Sequence, residues 1–283
     1  MSYSILLEKY KNVNLVKING GYTNNVFLLE NHFPKIIVKI FNKKQYNNDT
    51  GKNELNALRL LNGSNVSPKL HDFLEDDSNL YIIMDYIIGI NGQNILDNNE
   101  IDNIKKLYEL LGYNLSKNIH SIKQEKNVMK LPEIKLEDIN NGIFEYLDNN
   151  TKETIKNMLD IKVNENNTLI HGDFGPHNVI YQNNSIIAID WEWAGYGNPM
   201  YDIAWVLWFT NIHYPNYCQI LSNVFINTYL KHNSINISEK LVKAYSISNV
   251  LKILSRIKEE NVESKNEWIR RLNWTIENDL LII

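Results

Sequence analysis

His171-Gly172-Asp173-Phe174-Gly175-Pro176-His177-Asn178, followed at short range by Ile186-Ile187-Ala188-Ile189-Asp190-Trp191-Glu192, is the stretch from which the rest of the chain can be read. The apolar runs 168–170 and 185–189 have the length and residue types of strands. Asp173 and Asn178 then lie on the loop leaving the first strand, and Asp190 at the end of the second. Two strands and a tight loop can gather these three oxygen-bearing side chains around one small volume. Taken singly, Asp173 also suits a turn and Asp190 a cap; the combination is what carries chemistry.

Phosphoryl transfer calls for such a set. Nucleotide phosphates concentrate negative charge, and Mg²⁺ offsets it. Hard Mg²⁺ prefers oxygen ligands and keeps several waters, so it takes one or two carboxylates or amides from the protein. Asn178 and Asp190 fit that role. The attacking hydroxyl must lose a proton, and Asp173 beside it can orient the hydroxyl and accept that proton.

The pattern His-Gly-Asp-x4-Asn, with Asp190 twelve residues after Asn178, resembles the catalytic and metal loops of the aminoglycoside phosphotransferase and choline kinase families, protein-kinase-like enzymes that phosphorylate small molecules. Gly172 stands where protein kinases carry Arg, which favours the small-molecule branch. The resemblance implies Asp173 as catalytic base, Asn178 and Asp190 as Mg²⁺ ligands, and ATP as donor, with GTP the alternative. It further implies Lys39 as the strand lysine on the α/β-phosphates and Glu54 as its helix partner. The turn containing Gly20, Gly21, Thr23 and Asn24 would cover the phosphates, although it departs from the protein-kinase glycine pattern. The backbone of Asp85 and Ile87 would face the adenine. His171 and Asp202 would brace the catalytic loop. His177, inside the loop, is expected to be exposed and receives no role.

Outward from this segment, the first 90 residues read as strands at 26–30, 36–41, 70–74 and 80–86. One helix at 54–61 places Leu55, Leu58 and Leu61 on a single face. Helical spacing takes over from 101 to 120, at 139–147 and 154–159, and from Tyr201 onward, with breaks near 213–215 and at Asn233. The expected fold is therefore α+β and protein-kinase-like in two lobes: a β-rich N-lobe with one helix over 1–88, and a mainly helical C-lobe over 89–283.

Composition narrows the partners. The 283 residues carry 29 basic and 33 acidic side chains, which argues against a nucleic-acid binder driven by phosphate neutralisation. Residues 93–200 alone hold 10 basic and 16 acidic side chains, for which a solvated face is the usual reason and a metal or a cationic substrate the less usual one. One cysteine, Cys218, excludes an internal disulfide and a Cys-rich zinc site. No apolar run is long enough for a signal peptide or a bilayer span, so a soluble cytoplasmic protein is expected.

The reading is an ATP- and Mg²⁺-dependent phosphotransferase acting on a hydroxyl of a small, cationic molecule, aminoglycoside-phosphotransferase-like. A choline-, ethanolamine- or thiamine-type metabolite kinase is the alternative. A catalytically silent pseudokinase serving as a binding module is the alternative of another class. An aromatic box over Asp173 would favour choline, and a spread of carboxylates an aminoglycoside.

Overall fold

The computed structural model describes residues 3–18, 25–43, 48–98, 100–124, 130–137, 144–161, 167–258 and 260–281. It opens with a short helix, α1 (Ser4–Lys9), and a five-stranded antiparallel sheet of β1 (Asn14–Lys17), β2 (Asn25–Glu30), β3 (Ile36–Asn42), β4 (Leu70–Glu75) and β5 (Asn79–Asp85), in the order β1-β2-β3-β5-β4. Alternation along β3 explains how this sheet is used. Ile36, Val38 and Ile40 face a small core with Leu6 of α1, Leu29, Tyr81 and Ile83. Ile37, Lys39 and Phe41 face the other way, toward α2 (Asn48–Leu60) and the rest of the molecule. Both faces of β3 and β5 are covered, so these strands read as continuous apolar runs rather than alternating ones.

On α2 the expected face is the buried one: Leu55, Leu58 and Leu61 all enter the core. Two elements of this lobe lie outside the sequence expectation. Helix α1 has six residues, and β1 is a four-residue edge strand with one half-buried position, too little pattern to register in one chain.

Residues 86–89 lead from β5 into the helical lobe. That lobe begins with β6 (Ile90–Asn91), α3 (Gly92–Asn98) and α4 (Ile101–Tyr113), and α4 widens into a π-helical turn at Asn114–Ile119. After β7 (Glu133–Ile134) comes the stretch 139–147, for which the sequence predicts a helix and which shows no α-helix among the described residues. Its first five residues lie outside the described ones, and 144–147 form a turn whose Phe144 and Leu147 are buried. Helix α5 (Asn149–Leu159) follows, capped by Asp148 accepting from Thr151 N–H.

The segment that decides the fold is β8 (Thr168–Ile170), a 3₁₀ turn at Pro176–Asn178, β9 (Val179–Gln182), β10 (Ser185–Ala188) and β11 (Gly195–Gly197). Strands β9 and β10 form a hairpin that β6 joins, while β8 pairs with β11, which pairs in parallel with β7. Four helices complete the lobe: α6 (Met200–His213), α7 (Cys218–Leu230), α8 (Glu239–Leu254) and α9 (Val262–Glu277). Helix α6 is apolar all round because it is buried all round. The breaks at 213–215 and 233 fall where expected, and a third at 255–261 separates α8 from α9. Among the described residues no helix is long and apolar enough to cross a membrane.

Candidate active site

Three pieces of the fold meet at one corner: the middle of β3, the loop after β8, and the end of β10. Lys39 is buried on β3, opposite Val26 and Ile82. Its Nζ lies 2.6 Å from Glu54 Oε2 on α2, 2.7 Å from Asp190 Oδ1 and 3.8 Å from Glu192 Oε2. An ammonium buried this far stays charged only if paired. Burial alone would push it down, but Asp190, Glu54 and Glu192 together hold it above its ordinary value. Asp190 is held below the usual carboxylate range: burial opposes this, and Lys39 outweighs it. Glu54 is pushed up by burial in spite of Lys39. One ammonium thus faces three carboxyl groups, and the excess negative potential suits a further cation.

Asp190 adopts φ 65°, the left-handed region that costs a non-glycine residue about 1–3 kcal/mol. The turn aims its carboxylate back at Lys39. Asp190 Oδ2 and Asn178 Oδ1 accept no hydrogen bond from a described residue, whereas Asn178 Nδ2 donates to both the carbonyl and Oδ2 of Asp173 at 2.9 Å. Ile189 N–H donates to the Asn178 carbonyl at 2.9 Å, which fastens the loop to the end of β10. Two oxygens of hard-ligand type are therefore left over at this corner, and they fit a divalent ion.

Asp173 is fixed on both oxygens. Trp205 Nε1 on α6 donates to Oδ1 at 2.8 Å, His177 Nε2 lies 3.2 Å from the same oxygen, and Asn178 holds Oδ2. Behind it, His171 is fully buried against Trp191, with ring centroids 4.4 Å apart. Burial pushes its imidazole down, so it is neutral. Its Nδ1 accepts from Asp173 N–H at 3.3 Å and its Nε2–H donates to the Ile189 carbonyl at 3.0 Å. Gly172 has φ 85°, and any Cβ there would strike the Trp193 carbonyl oxygen, so arginine has no room at this position. The fully buried Asp202 of α6 accepts from His171 N–H at 2.8 Å and Gly172 N–H at 2.9 Å. His120, after the π turn, donates from Nε2 to Asp202 at 3.2 Å and accepts from the Tyr229 hydroxyl at 2.8 Å.

Lys39, Glu54, Asp190, Asp173, Asn178, His171 and Asp202 are thus brought together. Gly20, Gly21, Thr23 and Asn24 lie outside the described residues. Asp85 turns its side chain to His71, 2.6 Å away, and its N–H to the Lys69 carbonyl, while Ile87 N–H has no backbone partner among the described residues. Sequence reasoning missed Glu192, His120, Trp205 and His177. For His177 the expectation of an exposed side chain without a role is corrected: it is half-buried beside Asp173, because the 3₁₀ turn folds it back.

Next to Asp173 opens a pocket of about 80 Å³ lined by Trp193, Tyr201, Trp205, Asn249, Lys252 and Arg256, among others. Its aromatic side chains are Trp193, Tyr201 and Trp205. Asp173 is the carboxylate among its lining residues. Lys252, in the last turn of α8, and Arg256, just beyond that helix, went unread because the helix shows only core spacing.

Residues 14–233 match the model of the phosphotransferase enzyme family. The chain is 26% identical over 226 residues to a LicA homolog of Mycoplasma capricolum subsp. capricolum, spanning 75% of this chain and 85% of the relative. Among solved structures, amicoumacin kinase in complex with AMP-PNP, Ca²⁺ and Ami superposes with a TM-score of 0.69 at 13% identity, covering 100% of this chain and 96% of its own. Choline kinase LicA from Streptococcus pneumoniae superposes with a TM-score of 0.65 at 18% identity, covering 95% and 98%. At these identities the two structures attest the fold.

Proposed function

We propose, from the premise that this chain belongs to the phosphotransferase enzyme family and is a small-molecule phosphotransferase, that ATP is its donor, a divalent metal its cofactor, and Asp173 the group that takes the acceptor's proton. The observation that carries this is one corner holding a fixed carboxylate, two uncommitted oxygens and a paired, buried lysine.

Residues 1–88 would cover the nucleotide, with the turn at Gly20, Gly21, Thr23 and Asn24 over its phosphates and the backbone of Asp85 and Ile87 against its base. Residues 89–283 would carry the reacting groups. Lys39, kept charged by its acids and oriented by Glu54, would hold the α/β-phosphates. Mg²⁺ on Asn178 Oδ1 and Asp190 Oδ2 would supply charge neutralisation for the phosphates. Asp173, held still by Trp205 and Asn178, would accept a hydrogen bond from the acceptor hydroxyl. As the hydroxyl oxygen attacks the γ-phosphorus, its O–H bond breaks and the proton passes to the Asp173 carboxylate. The bond from phosphorus to the departing nucleoside diphosphate breaks in the same exchange. Pre-set positions and electrostatics account for most of the acceleration in such a site. A reaction drawing on ATP belongs in the cytoplasm. For the acceptor, the names of the choline kinase and LicA relatives support a small alcohol, and choline itself is a cation.

The test is γ-phosphoryl transfer from labelled ATP, and from GTP as competitor, to a panel of small alcohols in the presence and absence of Mg²⁺. The intact chain should transfer only with metal present. Asp173→Asn should lower kcat by about 10²–10⁴-fold with ATP affinity retained. Equal kcat in both proteins would remove Asp173 from the reaction, and nucleotide binding without transfer to any acceptor would leave a silent binding module.

A further inference from the structure

The pocket beside Asp173 carries the wrong charge for a cationic acceptor. Lys252 sits with its Nζ 4.8 Å from the centre of the Tyr201 ring and 5.9 Å from that of Trp193. The Arg256 guanidinium lies 3.3 Å from the centre of the Trp193 ring. The aromatic faces that could have received an alkylammonium are thus occupied by the protein's own cations. A second positive group would meet both of them at short range. Neither charged head forms an ion pair or a hydrogen bond with a described residue, although Glu137 and Asp173 act on both from a distance. Burial and the neighbouring Arg256 push Lys252 down to about 8. Two cations that raise each other's energy are relieved by an anion between or beside them.

Basic residues at the end of a helix also complement its dipole. That explains their place in the sequence but not their direction, which is into the pocket containing the proposed base. The planar fork of Arg256 matches a carboxylate or phosphate in two parallel hydrogen bonds, and its close approach to the Trp193 ring restrains the fork. The part of the partner held inside the pocket has about 80 Å³ to fill.

We infer that the acceptor is a small alcohol bearing an anionic group, a carboxylate or a phosphate, which Lys252 and Arg256 hold so that its hydroxyl reaches Asp173. This rests on the phosphotransferase reading of the site and adds to it the charge class of the acceptor. It also departs from the cationic molecule that the family resemblance implies.

Calorimetric titration of the full chain, loaded with Mg²⁺ and AMP-PNP, tests it with four probes: glycerate, glycerol 3-phosphate, glycerol and choline. One of the two anions should bind at least about 10-fold more tightly than glycerol, and which one does so separates carboxylate from phosphate recognition. Lys252→Met and Arg256→Gln should each weaken that anion by about 10- to 100-fold, the size of a lost charge-assisted hydrogen bond. AMP-PNP affinity and melting temperature should stay as they are. The inference is overturned if choline binds more tightly than both anions, if neither anion exceeds glycerol, or if the two variants leave anion affinity unchanged. Its failure is separable from failure of the phosphotransferase reading. In the first case the chain still transfers phosphate from ATP with Mg²⁺ to another alcohol of the panel, and in the second no acceptor is phosphorylated.

Discussion

Asp173 shows how far a motif can be read and where reading stops. Its identity and its place after a strand are plain from His171-Gly172-Asp173. Its neighbours are not: Trp205 lies on a helix 32 positions away, and its indole N–H becomes a ligand of Asp173 only through the angle at which α6 crosses the loop. Helical spacing of Trp205, Trp208 and Phe209 reads as core, and Trp208 is core, stacked between Trp205 and Trp268. Trp205 is a positioning residue in this account. Replacing it with Phe keeps most of the packing and removes the 2.8 Å donor. We expect Trp205→Phe to lower kcat by about 10-fold with little change in KM for ATP. A fall in stability with kcat unchanged would assign Trp205 to packing alone.

At the scale of elements, one helix carries the loop. Asp202 at the start of α6 receives the two backbone N–H groups of His171 and Gly172 and the ring of His120, all without solvent. Asp202→Ala would leave three donors without their acceptor, the N–H groups of His171 and Gly172 and the ring N–H of His120, at about 1–3 kcal/mol for each that finds no other. Denaturant unfolding should show a loss of about 2–5 kcal/mol, and a loss under 1 kcal/mol would mean that the loop finds other acceptors. The long apolar elements were legible, including the faces of α2 and α4 and the strands β3, β5, β8 and β10. The elements missed were short. Strands β6, β7 and β11 have two or three residues and exist because the loops beside them dock, a tertiary cause with no local pattern. The π turn at Asn114–Ile119 is likewise invisible in a run that keeps helical spacing.

Across the whole molecule, the sheet lobe and the catalytic corner are joined by Lys39 and Asp190, 151 positions apart in sequence. The helical lobe around them buries His120 and His171. Burial pushes both imidazoles down, so each is neutral when folded and titrates near 6.5 when unfolded. The unfolded chain therefore binds protons first as pH falls. The contribution of these two histidines to stability should be level above about pH 7 and fall below about pH 6.5, by up to ~1.4 kcal/mol per pH unit for each. Melting curves between pH 5 and pH 8 should be flatter in His120→Gln than in the parent chain, and parallel curves would show that His120 is not buried neutral.

The central claim is that Asp190 and Asn178 offer their oxygens to a metal-bound nucleotide beside Lys39. It is tested most directly by the affinity for AMP-PNP with and without Mg²⁺, in the parent chain and in Asp190→Ala. The account predicts that Mg²⁺ tightens binding by about 10-fold or more in the parent and by little in the variant. The same gain from Mg²⁺ in both proteins would place the metal elsewhere and contradict it.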